Sequence, residues 1–233
     1  MKTKEVKKVG RMTFDDFVEK VEELGFLGPF SINFVPDEQV WCGDPELDPW
    51  FWKERAAREK RLAHGSFFGG KKGYIAPRFY SIFQDAFRPR TTVEERYRDG
   101  KLGQYEWDFW KLLEKEGRPL GTHEFRSMLG VTAKNGRSAL DGAVQRLQMT
   151  MDIATVGNVD MLDKNGKPYN SAVAYDIAEN WIPPEWLTMN PRMEQAEALE
   201  MIYRQAEKTA RDDEVMNVRS YFDKSLRLYK RFS

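Results

Sequence analysis

Cysteine is almost missing from this chain. Cys42 is the single cysteine in 233 residues, which excludes an internal disulfide and suits a reducing compartment. Histidine is nearly as scarce, with only His64 and His123. A zinc site would need carboxylates to complete it, and the spacing fits no zinc pattern, so no metal and no cofactor is expected. No apolar run approaches the ~20 residues that cross a bilayer. The lysines at the start (Lys2, Lys4, Lys7, Lys8) are not followed by the apolar region of a secretory leader. Together these absences predict a soluble, cytoplasmic protein with no membrane partner. An excess of either charge is also lacking, since 37 Lys and Arg face 37 Asp and Glu. That balance excludes a uniformly basic nucleic-acid binder.

The neutral total conceals blocks. Residues 12–50 hold ten acids against Lys20, a net of −9, whereas residues 51–101 hold thirteen Lys or Arg against six acids, a net of +7. Such polarity predicts distinct faces. With 41% hydrophobic residues, the chain is long enough to bury a substantial core and to hold more than one domain. We place boundaries at 1–104, 105–183 and 184–233.

Residues 105–182 carry the clearest pattern. Tyr105, Phe109, Leu112 and Leu113 recur at helical spacing, and Gly117 closes that helix. Thr122 is a good N-cap for a short helix through Phe125, Met128 and Leu129, ended by Gly130. A third helix begins near Gly136 and runs through Leu140, Val144 and Leu147. Ile153, Thr155 and Val156 then favour a strand, the run from Asp163 to Lys167 is a strong turn signal, and 171–177 supplies the returning strand. Helix, turn, helix, helix and hairpin is the order of a winged helix-turn-helix. The DNA-facing candidates are Lys134, Asn135, Arg137 and Ser138 at the start of the third helix, where groove contacts normally arise. Arg146 lies further along as a possible phosphate contact, with Gln145 beside it, and Lys164 and Lys167 sit at the wing tip. The segment is slightly acidic, with nine bases against eleven acids, and Asp141 repels phosphate from the middle of the helix face. A winged fold serving as a scaffold for protein contacts is therefore the competing reading.

The region ahead has a similar, weaker rhythm. Thr13 caps a helix to about Leu24, and Asp48 or Pro49 starts another, expected to run through Trp52, Ala56 and Leu62 to Gly65. Phe67–Phe68, a glycine- and lysine-rich loop and Tyr74–Ile75 read as a small hairpin, with Lys71 and Lys72 as a second wing. Pro77 opens a further helix through Tyr80, Phe83 and Phe87. After Pro183–Pro184, residues 193–231 read as one or two charged helices that could join two copies in a homodimer. The fold class expected is mainly α (α+β), with tandem winged units, small β-hairpins and a C-terminal helical segment.

Other chemistry-bearing strings resolve into structural readings. Gly65 to Lys71 matches GxxxxGK, but Lys72 stands where Mg²⁺ coordination needs Ser or Thr, so a hairpin turn is expected. Asp44, Glu46 and Asp48 alternate like metal ligands, yet Pro45 and Pro49 interleave them, which points to helix-entry capping. The dense aromatics from Trp41 to Tyr80 could stack on bases, but Trp50, Phe67 and Tyr80 are expected in the core.

Four strings, Asp48-Pro-Trp-Phe-Trp52, Leu62-Ala-His-Gly65, Lys72-Gly-Tyr-Ile-Ala76 and Leu147-Gln-Met149, resemble AlkZ-related proteins, short relatives of the AlkZ alkylpurine DNA glycosylases. The resemblance spans roughly 13–185. It implies tandem winged helices, double-stranded DNA as the partner, and a base-excision site in the first unit. The family motif of Gln, an apolar residue, then Gln or Asp falls here on Ser31-Ile32-Asn33. Positioning a water beside an oxocarbenium-like sugar needs a longer amide or a carboxylate, so no catalytic residue is assigned. The reading is a DNA-binding regulator or repair accessory; the alternatives are a divergent glycosylase acting on damaged bases and a protein-binding scaffold.

Overall fold

The structure is a computed structural model that describes residues 12–28, 42–210 and 215–232. Helix α1 (Phe14–Leu24) starts on a reciprocal cap. Thr13 Oγ1 accepts from the Asp16 N–H, and Asp16 Oδ2 accepts from the Thr13 N–H at 2.8 Å. Phe14, Phe17, Val18 and Val21 form its buried stripe. Gly25 ends it at φ +85°, with the Phe79 ring only 2.4 Å from where a Cβ would lie, so both conformation and space demand glycine. The chain continues directly into strand β1 (Phe26–Leu27).

Helix α2 (Pro49–Arg58) is entered through Asp48, whose Oδ1 accepts from the Trp50 N–H. Asp48 Oδ2 accepts from the N–H groups of Cys42 and Gly43, and Asp44 Oδ1 accepts from the Glu46 N–H. The alternating acids are thus turn and cap residues. The helix is shorter than its periodicity predicts. It stops at Arg58, Lys60 adopts φ +52°, and strand β2 (Ala63–Phe68) begins where a helix end was expected. All six residues of β2 are buried, and a short strand buried on both faces has no alternation to separate it from a helix segment. His64 therefore lies on a strand. Strand β3 (Lys71–Ile75) returns from a Gly69–Gly70 turn, as expected for the GxxxxGK string, and pairs with both neighbours in the antiparallel order β1-β3-β2.

Two helices follow, α3 (Pro77–Phe87) and the short α4 (Val93–Arg98). Then α5 (Gln104–Glu116) closes at Gly117, which is left-handed. Strand β4 (Leu120–Gly121), α6 (Thr122–Met128), α7 (Arg137–Met149) and the strands β5 (Ile153–Leu162) and β6 (Pro168–Ile177) come next. The cap of α6 is Gly121 rather than Thr122, with Glu124 Oε2 accepting the Gly121 N–H at 2.7 Å. The second sheet is again antiparallel, in the order β4-β6-β5. Both sheets thus share one topology: a two-residue strand pairs with the last strand of a hairpin.

The C-terminal region holds α8 (Ala178–Trp181), α9 (Pro184–Thr188), α10 (Gln195–Thr209), a 3-10 helix (Val215–Phe222) and α11 (Asp223–Phe232). It is packed into the chain's own core. Phe222 lies against Phe68, Phe83, Phe87 and Tyr203, and α10 buries Ala198, Ile202 and Ala206 in the cluster that contains Phe83. Phe67 and Tyr80 are core residues, but Trp50 is 56% exposed with the Lys53 ammonium over its ring. It sits in the first turn of α2. The protein is a mixed α+β fold with small antiparallel sheets, and no helix among the described residues is long and apolar enough to cross a membrane.

Candidate nucleic-acid interface

Helix α7 divides into an exposed start and a buried end. Leu140, Ala143 and Leu147 anchor it, whereas Lys134, Asn135, Arg137 and Ser138 are exposed at and before its first turn. Gly136 precedes it at φ +79°, with Tyr105 Oη 2.5 Å from where a Cβ would lie. The cations of this region are partly neutralised. Arg126 reaches Asp141 at 3.2 Å, Arg137 approaches the same carboxylate at 3.8 Å, and Arg146 pairs with the buried Glu106. Arg146 thus ties α7 to α5. Gln145 donates to the Gly70 carbonyl at 2.8 Å, and Gln148 accepts from the Ser66 N–H and donates to Thr155. The later half of α7 is therefore a joint between the two sheets.

The β5–β6 hairpin extends into solvent. Asp163 builds its turn: Oδ1 accepts from the N–H groups of Asn165 and Lys167, and its carbonyl accepts from Gly166. Gly166 supplies the φ of +76° that this turn requires. Lys164 and Lys167 are exposed at the tip, flanked by exposed Leu162 and Tyr169.

The first hairpin is held differently. Its Gly69–Gly70 turn is covered by the C-terminal helix: the Gly69 N–H donates to Ser225 Oγ at 3.2 Å, and Ser225 Oγ donates to the Phe67 carbonyl. Lys71 and Lys72 remain exposed beside this clamp, Lys71 with its ammonium 5.2 Å from the Tyr221 ring centroid.

Below Lys72 lies a half-buried polar cluster. His64 faces Tyr74 across the sheet at 5.0 Å, and among the described residues neither the buried His64 Nδ1 nor the buried Trp52 Nε1 has a hydrogen-bond partner. Burial, reinforced by Lys72 and Lys53, pushes the imidazole down to about 3, so it is neutral near pH 7. Burial raises the Glu54 carboxyl, opposed by Lys53, which lies 3.4 Å from it. Sequence reasoning missed Glu54 entirely; one more glutamate on an amphipathic helix carries no pattern of its own. Ser31 and Asn33 lie outside the described residues, where the family motif would fall.

A cleft of about 680 Å³ opens beside α3 and the segment leading to α4. Its lining cations are already paired, Arg88 with Glu179 and Arg90 with Glu194. Among the described residues no group of three or more His, Cys, Asp or Glu could hold a metal.

A family profile described as AlkZ related matches residues 12–223. The chain belongs to the AlkZ-related family. No curated protein and no solved structure matches it. Membership gives this AlkZ-related chain a DNA-related, glycosylase-like context. The match covers both sheets, α7 and the basic stretch 51–101, but stops at the first residue of α11.

Proposed function

We propose that this AlkZ-related protein binds double-stranded DNA through tandem winged helix-turn-helix units, as a regulator or repair accessory rather than a working excision enzyme. The observation that carries this reading is the repeated sheet order, β1-β3-β2 and β4-β6-β5, with an exposed first turn of α7 and a solvent-projecting hairpin in the second unit. In a winged module the start of the third helix meets base edges and the wing follows the backbone. Lys134, Asn135, Arg137 and Ser138 take the first role here, and Lys164 and Lys167 the second. Lys71 and Lys72 extend the phosphate contacts onto the first unit. Arg146 adds little of its own, because Glu106 already holds its charge. The excision role is set aside because Ser31-Ile32-Asn33 supplies neither the carboxylate nor the longer amide that the chemistry uses.

A mobility-shift titration with duplex DNA at low salt tests this reading. The wild-type chain should bind, and Arg137→Ala combined with Lys164→Ala should weaken binding by about tenfold, since one groove contact and one phosphate contact are lost together. Absence of any shift at low salt would sink the proposal.

A further inference from the structure

We infer that α11 is the principal phosphate-binding surface of this protein, a basic helix face that lies along the backbone of duplex DNA. The inference rests on the DNA-binding reading above but goes beyond it, because α11 lies outside the family match save for Asp223.

The first argument is charge that is free to act. Lys224, Arg227, Lys230 and Arg231 are exposed on α11, together with Asp223. At ~100° per residue these positions share roughly one third of the helical circumference, while Ser225 and Phe232 on the other side are buried. Arg227, Lys230 and Arg231 have no carboxylate within 4.0 Å among the described residues. The α7 region differs, since Arg126, Arg137 and Arg146 there each face an acid. Lys230 and Arg231 also favour the C-terminal end of a helix dipole. Arg227 receives no such explanation.

The second argument is position. Lys224 Nζ donates to Gln145 Oε1 at 2.8 Å, and the same Gln145 donates to the Gly70 carbonyl. A Cβ on Gly70 would sit 2.8 Å from Lys224 Nζ and 2.9 Å from Gln145, so helix, hairpin turn and α7 meet at one point with no room between them. Lys71 joins the same corner over Tyr221. Arg137 lies two turns before Gln145, about 12 Å away along α7. From that corner the cationic face continues from Lys224 through Arg227 to Arg231. A helix face whose Arg227, Lys230 and Arg231 have no carboxylate partner among the described residues, and which abuts the candidate recognition helix, is complementary to a phosphate backbone.

The test compares the wild-type chain with Arg227→Ala/Lys230→Ala/Arg231→Ala. Binding to a fluorescent duplex is followed by anisotropy across a salt series. Circular dichroism and thermal unfolding check that the variant folds, and Arg227→Lys/Arg231→Lys is the charge-retaining control. The slope of log affinity against log salt should flatten by about 2–3, at ~0.9 per lost phosphate contact, while the control keeps the wild-type slope. A folded triple variant with the wild-type slope overturns the role of α11 and leaves the winged-helix reading standing. A wild-type chain that binds no duplex at low salt overturns both. Loss of binding to phosphatidylserine vesicles with duplex binding intact would assign the face to membranes and overturn the inference.

Discussion

His64 shows how much one residue's meaning depends on a neighbour that only the fold supplies. In sequence it falls at the end of a helix expected to run to Gly65, yet it is a buried strand residue opposite Tyr74 with Lys72 and Lys53 close by. Its folded pKa, about 3, lies below the model-peptide value of 6.5. The unfolded chain therefore takes up the proton first as pH falls. The stabilisation is fully present above about pH 6.5 and is lost progressively toward the folded value, at about 1.4 kcal/mol per pH unit. Between about pH 6.5 and 5.5 ordinary carboxylates stay largely ionised, so unfolding midpoints in urea across that window, compared with a chain lacking the imidazole, isolate the effect. We predict a falling midpoint for the wild-type chain and a nearly flat one for His64→Phe. A wild-type profile that is already flat would show that the imidazole charges freely in the folded state.

Among the elements, those with clean periodicity were legible and those defined by long-range contact were not. The three helices and hairpin of 105–182 follow from apolar spacing and from Gly117, Gly136 and Gly166, whose conformations the structure requires. Helix α1 and its Thr13 cap follow in the same way. Strand β2 was misread because burial on both faces erases alternation. Helix α4 passed unread, because six residues carry too little period to recognise. What fixes α4 is a contact across the chain: Arg96 donates through Nη1 and Nη2 to the two oxygens of Asp152 at 3.0 and 2.6 Å, with both side chains almost wholly buried. Thr150 also donates to that carboxylate. Arg96→Met leaves Asp152 charged and unpaired and should cost about 3–5 kcal/mol. Arg96→Met/Asp152→Leu removes both charges and should recover much of that loss. Chemical unfolding of the two variants checks this, and equal losses in both would mean that packing, not the uncompensated charge, sets the cost.

Over the whole molecule, the charge blocks of the sequence resolve into an arrangement that composition could not give. The C-terminal region reads in sequence as charged helices suited to joining two copies. In the fold, its apolar residues complete the core around Phe68, Phe83 and Phe222, while its cations remain outside. Of the candidate site, the exposed start of α7 and both lysine-bearing hairpins were legible. The coupling of Gln145, Gly70 and Lys224 was not, because the residues stand 75 and 79 positions apart. The central claim is that α7, the hairpins and α11 present one DNA-binding surface. Backbone hydrogen exchange with and without duplex DNA at low salt tests it most directly. The account predicts slowed exchange at 134–140, 162–168, 70–73 and 224–231, with α10 and the cleft beside α3 unchanged. Equal exchange in all four segments with DNA present would contradict it.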